Sequence, residues 1–299
     1  MVFTITFLGT SGMQPTKERA LPSIHLAYRD ENILLDCGEG TQRQMRIAGL
    51  KPTKLTKILI THNHADHLLG LAGLLRNLAA NEFTGNLEIY APKPIDVYLK
   101  NLINCTVPSQ IKFNIKLIFT HPGIIFENNF FKIEASRLKH TTECFGYSII
   151  EKDKRKMNLT YLKKFNLTQH PVLGKLQKGE DIVWEGKKIT AAKATTVVKG
   201  KKLTYTTDTA LCKEAIELAK DADLLISEST FADEQQQEAT EYLHMTASNS
   251  AEIAKKAKAK QLILTHISQR YKDSSILQKE AKKIFKNVKV AEDFMKVEI

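Results

Sequence analysis

A layered α/β sandwich is the fold this sequence predicts, and three observations carry the prediction. Strand-like runs near 3–8, 24–28 and 32–36 follow one another with no helical spacing between them. From residue 57 onward strand-like and helix-like segments alternate, the order in which helices come to cover sheets. Two distant segments also read alike: 55–62 is Leu-Thr-Lys-Ile-Leu-Ile-Thr-His and 259–266 is Ala-Lys-Gln-Leu-Ile-Leu-Thr-His. Both are apolar strands ending in Thr-His. They predict two similar half-domains whose strand ends meet at one site.

The N-terminal run Met-Val-Phe-Thr-Ile-Thr-Phe-Leu-Gly alternates as a strand does. It lacks the basic segment and cleavage site of a secretory leader. Further strands are expected near 57–61, 87–90, 114–118, 130–135, 145–150, 203–207, 223–227, 261–265 and 288–291. Apolar residues at helical spacing predict helices near 39–48, 67–79, 94–103, 210–220, 246–258 and 275–285. Residues 151–179 interrupt the alternation. There Lys152, Lys154, Arg155, Lys156, Lys163, Lys164, Lys175 and Lys178 face only Glu151 and Asp153, a net of +6. With few core-forming residues, this stretch reads as an inserted arm with a short helix near 158–165.

Chain-wide properties narrow the function. The 299 residues suffice for one large domain spanning 1–299. No apolar run approaches the length of a membrane span, so no membrane partner is expected. The four cysteines are scattered, as in a reduced cytoplasmic protein. A net charge of +11 favours a polyanionic partner.

Residues 61–67, Thr-His-Asn-His-Ala-Asp-His, carry the chemistry. The motif sits where an apolar strand, Ile58-Leu59-Ile60, gives way to a helical pattern. Alternate residues of an extended segment share a face, so His62 and His64 can point at one ion. Asp66 and His67 lie past the bend and can point at a neighbouring one. His140, Asp208 and His266 each follow a predicted strand. Imidazole and carboxylate ligands suit zinc, and a carboxylate such as Asp208 can bridge two ions. Two ions side by side suit in-line displacement at phosphorus.

This arrangement, His62-x-His64-x-Asp66-His67 with His140, Asp208 and His266, resembles the metallo-β-lactamase superfamily. Within it the chain resembles the ribonuclease Z family from end to end. The resemblance includes Gly9-Thr10, Pro15–Arg19, Asp36–Met45, Glu228–Phe231, His244-Met245-Thr246 and His266–Tyr271. The fold it implies is an αββα metallo-β-lactamase sandwich with a protruding basic arm at about 151–179. It implies two Zn²⁺ per subunit: His62, His64 and His140 on one, Asp66, His67 and His266 on the other, Asp208 bridging. Asp66 resembles the proton acceptor for the attacking water. His244 resembles a group beside the scissile phosphate, oriented by Glu228.

The implied activity is removal of the 3′ trailer from precursor tRNA, leaving a 3′-hydroxyl on the tRNA and a 5′-phosphate on the trailer. The implied assembly is a homodimer in which one subunit's arm presents tRNA to the other's site. Lys17, Arg19 and Arg270 would contact RNA, together with Lys154, Arg155, Lys156, Lys163, Lys164 and Lys175 of the arm. Such contacts read phosphates and shape. Two other readings stay open: another hydrolase of this fold (phosphodiesterase, lactonase or thioesterase), or a catalytically silent RNA-binding protein. His25, His121 and His170 lack ligand-like context and read as structural or exposed.

Overall fold

The computed structural model describes residues 2–93, 95–105 and 111–299. Position 94, the first of the helix expected at 94–103, and the side chain of Cys105 lie outside the described residues. The chain divides into two compact units, Ile150–Lys201 with Glu127–Lys132 forming the smaller.

Two seven-stranded sheets dominate the larger unit. The first runs Lys296–Glu298, Thr4–Gly9, Ser23–Tyr28, Glu31–Leu35, Lys57–Leu59, Asn86–Ala91, Asn114–Phe119. Its first four strands pair antiparallel, and pairing turns parallel from Glu31–Leu35 onward. The second runs Val288–Val290, Leu262–Thr265, Leu224–Glu228, Lys202–Thr206, Cys144–Glu151, Phe131–Leu138, Gly123–Glu127. Its first four strands are parallel.

Helices cover one face of each sheet. Leu71, Leu74, Leu75 and Leu78 of helix Gly70–Ala80 share a buried cluster with Leu34, Ile58, Leu87 and Ile89 of the first sheet. Ala247, Ala251 and Ala254 of helix Ala247–Lys256 do the same with Leu225, Leu262 and Leu264 of the second. Strand neighbours alternate in direction, so Ile33 and Leu35, buried like Leu34, line the opposite face. There the sheets meet: Phe145 N–H donates to Thr61 O at 3.0 Å, and the Tyr147 hydroxyl to Ile60 O at 2.6 Å. This is the αββα metallo-β-lactamase sandwich. All twelve expected strands and all six expected helices are present, with ends shifted by a few residues.

The smaller unit departs from the expected arm in extent and in packing. It has its own core of Leu162, Leu167, Leu176, Ile182, Ile189, Ala191 and Ala194. Four of these lie beyond residue 179. Strand Lys154–Met157 pairs antiparallel with Thr195–Val198, which carries the unit on to Lys201. Hairpin Ile182–Trp184/Lys187–Ile189 turns on Glu185 and Gly186, both at positive φ (46° and 74°) as a two-residue turn requires. Charge marks the basic half of this unit, and the apolar half follows it in sequence. The expected helix near 158–165 is Leu159–Lys163, whose Asn158 cap accepts Tyr161 N–H at 3.1 Å.

Candidate metal centre

Five strands of the two sheets, Glu31–Leu35, Lys57–Leu59, Lys202–Thr206, Leu224–Glu228 and Leu262–Thr265, end at Asp36, Thr61–His67, Asp208, Glu228 and His266. Sites in α/β sheets form beyond the carboxyl ends of parallel strands. His140, after strand Phe131–Leu138, joins them.

Ligand atoms of His62, His64, His140 and Asp208 lie within 4.8 Å of one another, and so do those of Asp66, His67 and His266. Asp208 faces both groups. Its Oδ2 is 3.6 Å from His62 Nε2 and 3.5 Å from His67 Nε2, and its Oδ1 is 3.2 Å from His266 Nε2. The structure therefore brings together all seven residues singled out as ligands.

Each imidazole is held by its other nitrogen. His67 Nδ1–H donates to Asp36 Oδ2 at 2.8 Å, and His140 Nδ1–H to Leu243 O at 3.2 Å. His62 Nδ1 meets Thr61 Oγ1 at 3.0 Å, and Thr61 donates to Asp36 at 2.9 Å. His266 Nδ1 meets Thr230 Oγ1 at 2.8 Å, and Thr230 donates to Glu228 Oε2 at 2.7 Å. His64 Nε2 meets Thr141 Oγ1 at 3.4 Å. Partners of this kind fix ring orientation and tautomer in metal sites. The inward nitrogens are then lone pairs facing one another, His67 Nε2 to His266 Nε2 at 3.4 Å. His62 Nε2 is buried with no hydrogen-bond partner among the described residues. Buried polar atoms are rarely left so. Divalent cations satisfy such a set, and the residues could hold them.

The carboxylates make the cluster a place for positive charge, and they act on its imidazoles unequally. Burial raises the Asp66 pKa, but His67 and His266 outweigh it and hold the carboxyl well below its usual range. Burial lowers His67, yet Asp208, Asp66 and Asp36 drive it well above the ordinary imidazole value. Burial and His67 push His62 down, towards the neutral form a ligand needs.

Backbone conformation shapes the site. Met13, Asp36, Leu243 and His266 adopt left-handed φ of 61°, 57°, 55° and 56°. Non-glycine residues rarely do so, and such strain gathers at functional sites. At φ 61° Met13 points its N–H at Asp66 Oδ2, 2.9 Å away. A Cβ on Gly12 would lie 2.5 Å from His266 Nδ1, so only glycine fits beside that ring.

His244 lies beside the cluster. Glu228, fully buried, accepts His244 Nδ1–H at 3.0 Å and Thr209 N–H at 2.7 Å. Burial lowers the His244 pKa, but Glu228 overrides it and raises it to about 9. Met13, Asp66, Asp208, Tyr242, His244 and Arg270 help line a cleft of about 490 Å³.

The family model described as "Anti-Pycsar protein Apyc1" matches residues 3–290, so the chain falls within that family. "Ribonuclease Z" of Archaeoglobus fulgidus is 41% identical over 303 residues, covering 100% of this chain and 98% of that protein. The chain belongs to the ribonuclease Z family. Among solved structures, human tRNase Z, short form, is 28% identical with a TM-score of 0.71 and covers 98% of each chain. A metallo-β-lactamase fold protein of Bacillus subtilis, 22% identical, superposes with a TM-score of 0.73 over 100% of both and bears on the fold alone.

The basic residues put forward as RNA contacts sort differently in the ribonuclease Z scaffold. Lys17, Lys156, Lys163, Lys164, Lys175 and Arg270 are exposed. Arg270 also pairs with Glu238 at 2.7 Å. Arg19 instead turns inward, donating to Thr10 Oγ1 and Ala291 O at 2.7 and 2.6 Å, and so braces its own loop. Arg155 donates to Thr195 at 3.0 Å, and Lys154 pairs with Glu151. These three are committed to local structure.

Sequence reasoning passed over the positioning roles of Asp36, Thr61 and Thr230, and the Met13 N–H. Threonine before His62 was visible as part of a repeated strand end, but its bond to Asp36 was not, and in the other half the threonine that bonds the carboxylate is Thr230 rather than the Thr265 of the repeat. Of the other histidines, His25 is buried against Asn32 (3.1 Å) and His121 is exposed. His170 packs on Trp184, ring centroids 4.7 Å apart.

Proposed function

We propose that this chain is a zinc-dependent endoribonuclease that removes the 3′ trailer of precursor tRNA. The observation that supports it most is the His244–Glu228 pair set beside a complete seven-ligand cluster, within a family whose relatives are named ribonuclease Z. His62, His64 and His140 would hold one Zn²⁺ and Asp66, His67 and His266 a second, with Asp208 between them. Bound there, the cations would offset charge on the phosphoryl oxygens and favour ionisation of water.

The protein's own groups do the rest. Asp66, aimed by the Met13 N–H, takes the proton of the attacking water. Water oxygen bonds to phosphorus as the bond to the 3′ oxygen breaks. His244, charged and oriented by Glu228, gives its proton to that leaving oxygen. The products are a 3′-hydroxyl on the tRNA and a 5′-phosphate on the trailer. Acid–base assistance of this kind contributes roughly 10²–10⁴-fold.

The exposed lysines of the smaller unit, Lys156, Lys163, Lys164 and Lys175, would grip the RNA backbone. A homodimer working in the cytoplasm goes with this reading. Among the described residues no helix is long and apolar enough to cross a membrane. A second reading, a phosphodiesterase for small diesters, would use the same seven-residue cluster, which does not itself require RNA. Incubating the zinc-loaded protein with precursor tRNA and with a cyclic nucleotide, and mapping any RNA cut, tests both. The proposal expects one cut just 3′ of the discriminator base; hydrolysis of the small diester alone would overturn it.

A further inference from the structure

The turn that carries His244 presents a second side chain to the same cleft. Helix Gln236–Glu241 ends at Tyr242, whose N–H still donates to Glu238 O at 2.9 Å. Leu243 then enters the left-handed region at φ 55°, and its carbonyl accepts His140 Nδ1–H at 3.2 Å. That strained step has a local result. Tyr242 and His244, on either side of Leu243, both line the cleft.

Tyr242 is 54% exposed. Its hydroxyl makes no hydrogen bond and its ring no aromatic contact among the described residues. The other aromatic ring of the cleft, Phe231, is 5% exposed and has the Arg270 guanidinium 5.0 Å from its centroid. Tyr242 is thus the open aromatic face of this cleft. Exposed aromatic rings beside a nucleic-acid track stack bases without regard to their identity.

We infer that Tyr242 is a substrate-positioning residue that stacks the nucleobase on the 5′ side of the scissile phosphodiester, whichever base that is. The side follows from the reaction. His244 protonates the leaving 3′ oxygen, and Tyr242 is two residues away on the same turn. The nucleotide that owns the leaving oxygen therefore lies nearest the ring. The inference rests on the RNA-cleaving reading of the site and adds to it a base-binding position.

The test uses full-length, zinc-loaded protein and two precursor tRNAs, one intact and one abasic at the nucleotide 5′ of the cut. Single-turnover kcat/KM is measured for wild type, Tyr242→Phe and Tyr242→Ala. Tyr242→Ala is expected to lose about ten-fold on intact RNA and less than about two-fold on the abasic RNA, with Tyr242→Phe restoring the wild-type value. Thermal melting and zinc content of the variants should match wild type, because the side chain is exposed. Equal losses on both RNAs, no loss on intact RNA, or a Phe variant as impaired as Ala would overturn the inference. If wild type leaves intact precursor uncut, the RNA-cleaving reading fails and the inference with it. If wild type cuts and Tyr242 has no effect, only the inference falls.

Discussion

The two halves of the metal cluster are built on one plan and filled differently. In the N-terminal half, strand Lys57–Leu59 leads to Thr61-His62, and Thr61 donates to the carboxylate of Asp36, which also holds His67. In the C-terminal half, strand Leu262–Thr265 leads to His266, and Thr230 donates to the carboxylate of Glu228, which also holds His244. Each half is a buried carboxylate, a threonine relay and two imidazoles. In the first half both imidazoles belong to the proposed ligand set. In the second, one belongs to it and the other is left for the leaving group. On the proposed reading, the same anchoring device would serve metal binding on one side and metal binding plus proton delivery on the other.

The sharpest way to break the comparison is to remove what the halves share. Asp208→Ala should take zinc from about two ions per chain to below one by elemental analysis, and lower precursor cleavage by at least about a thousand-fold. Separating the halves comes next. Asp36→Asn should weaken zinc affinity roughly 10–100-fold, the usual cost of losing a carboxylate behind a ligand. Excess zinc should restore its activity. Glu228→Gln should lose a similar factor in cleavage, yet added zinc should restore only part of it, because His244 loses its orientation and charge. If zinc rescued both variants equally, the two halves would not differ as described.

Gly12→Ala sharpens the second half alone. The added methyl group meets the His266 ring, so zinc affinity should fall about ten-fold with little change in RNA binding, read by competition with a chromogenic chelator.

A histidine outside both halves gives the smallest effect. Burial lowers the His25 pKa to about 4 in the folded chain, against the ordinary imidazole value of 6.5. Between those values the unfolded chain takes up a proton that the folded chain refuses. Stability therefore falls as pH drops below 6.5, and the loss is complete below 4. From pH 7 to pH 5 His25→Asn should remove about 2 kcal/mol of the wild-type decline, measured by urea unfolding.

How far the sequence revealed this site follows from the same contrast. The N-terminal half packs four candidate ligands into His62–His67, so local spacing exposes them. The C-terminal half draws single residues from positions 140, 208, 228, 244 and 266, which only topology brings together. Those became legible through the repeated Thr-His strand ends and the family resemblance. The Asp36–Thr61 bond joins residues 25 apart on neighbouring strands, so no local spacing shows it, and the Glu228–Thr230 bond, only two residues apart, follows no periodic pattern that would mark it. Nor does any pattern mark Met13, whose role is a backbone N–H set by an uncommon φ. In the smaller unit, charge marked residues 151–179, whereas Ile182, Ile189, Ala191 and Ala194, which complete its core, lie beyond the charged stretch. Arg19 shows the opposite case: a basic residue in a promising loop whose guanidinium donates to Thr10, Ala291 and Ser274.

Asp66 joins the two halves most directly. It belongs to the second ligand group, accepts the Met13 N–H, and is the proposed proton acceptor. The decisive measurement is precursor-tRNA cleavage by wild type and Asp66→Ala under single-turnover conditions, with RNA affinity followed in parallel. The account predicts one cut 3′ of the discriminator base in wild type, and a loss of at least about a thousand-fold in the variant with RNA affinity within about three-fold. A variant that still cuts at a comparable rate, or that loses binding and cleavage together, would contradict it.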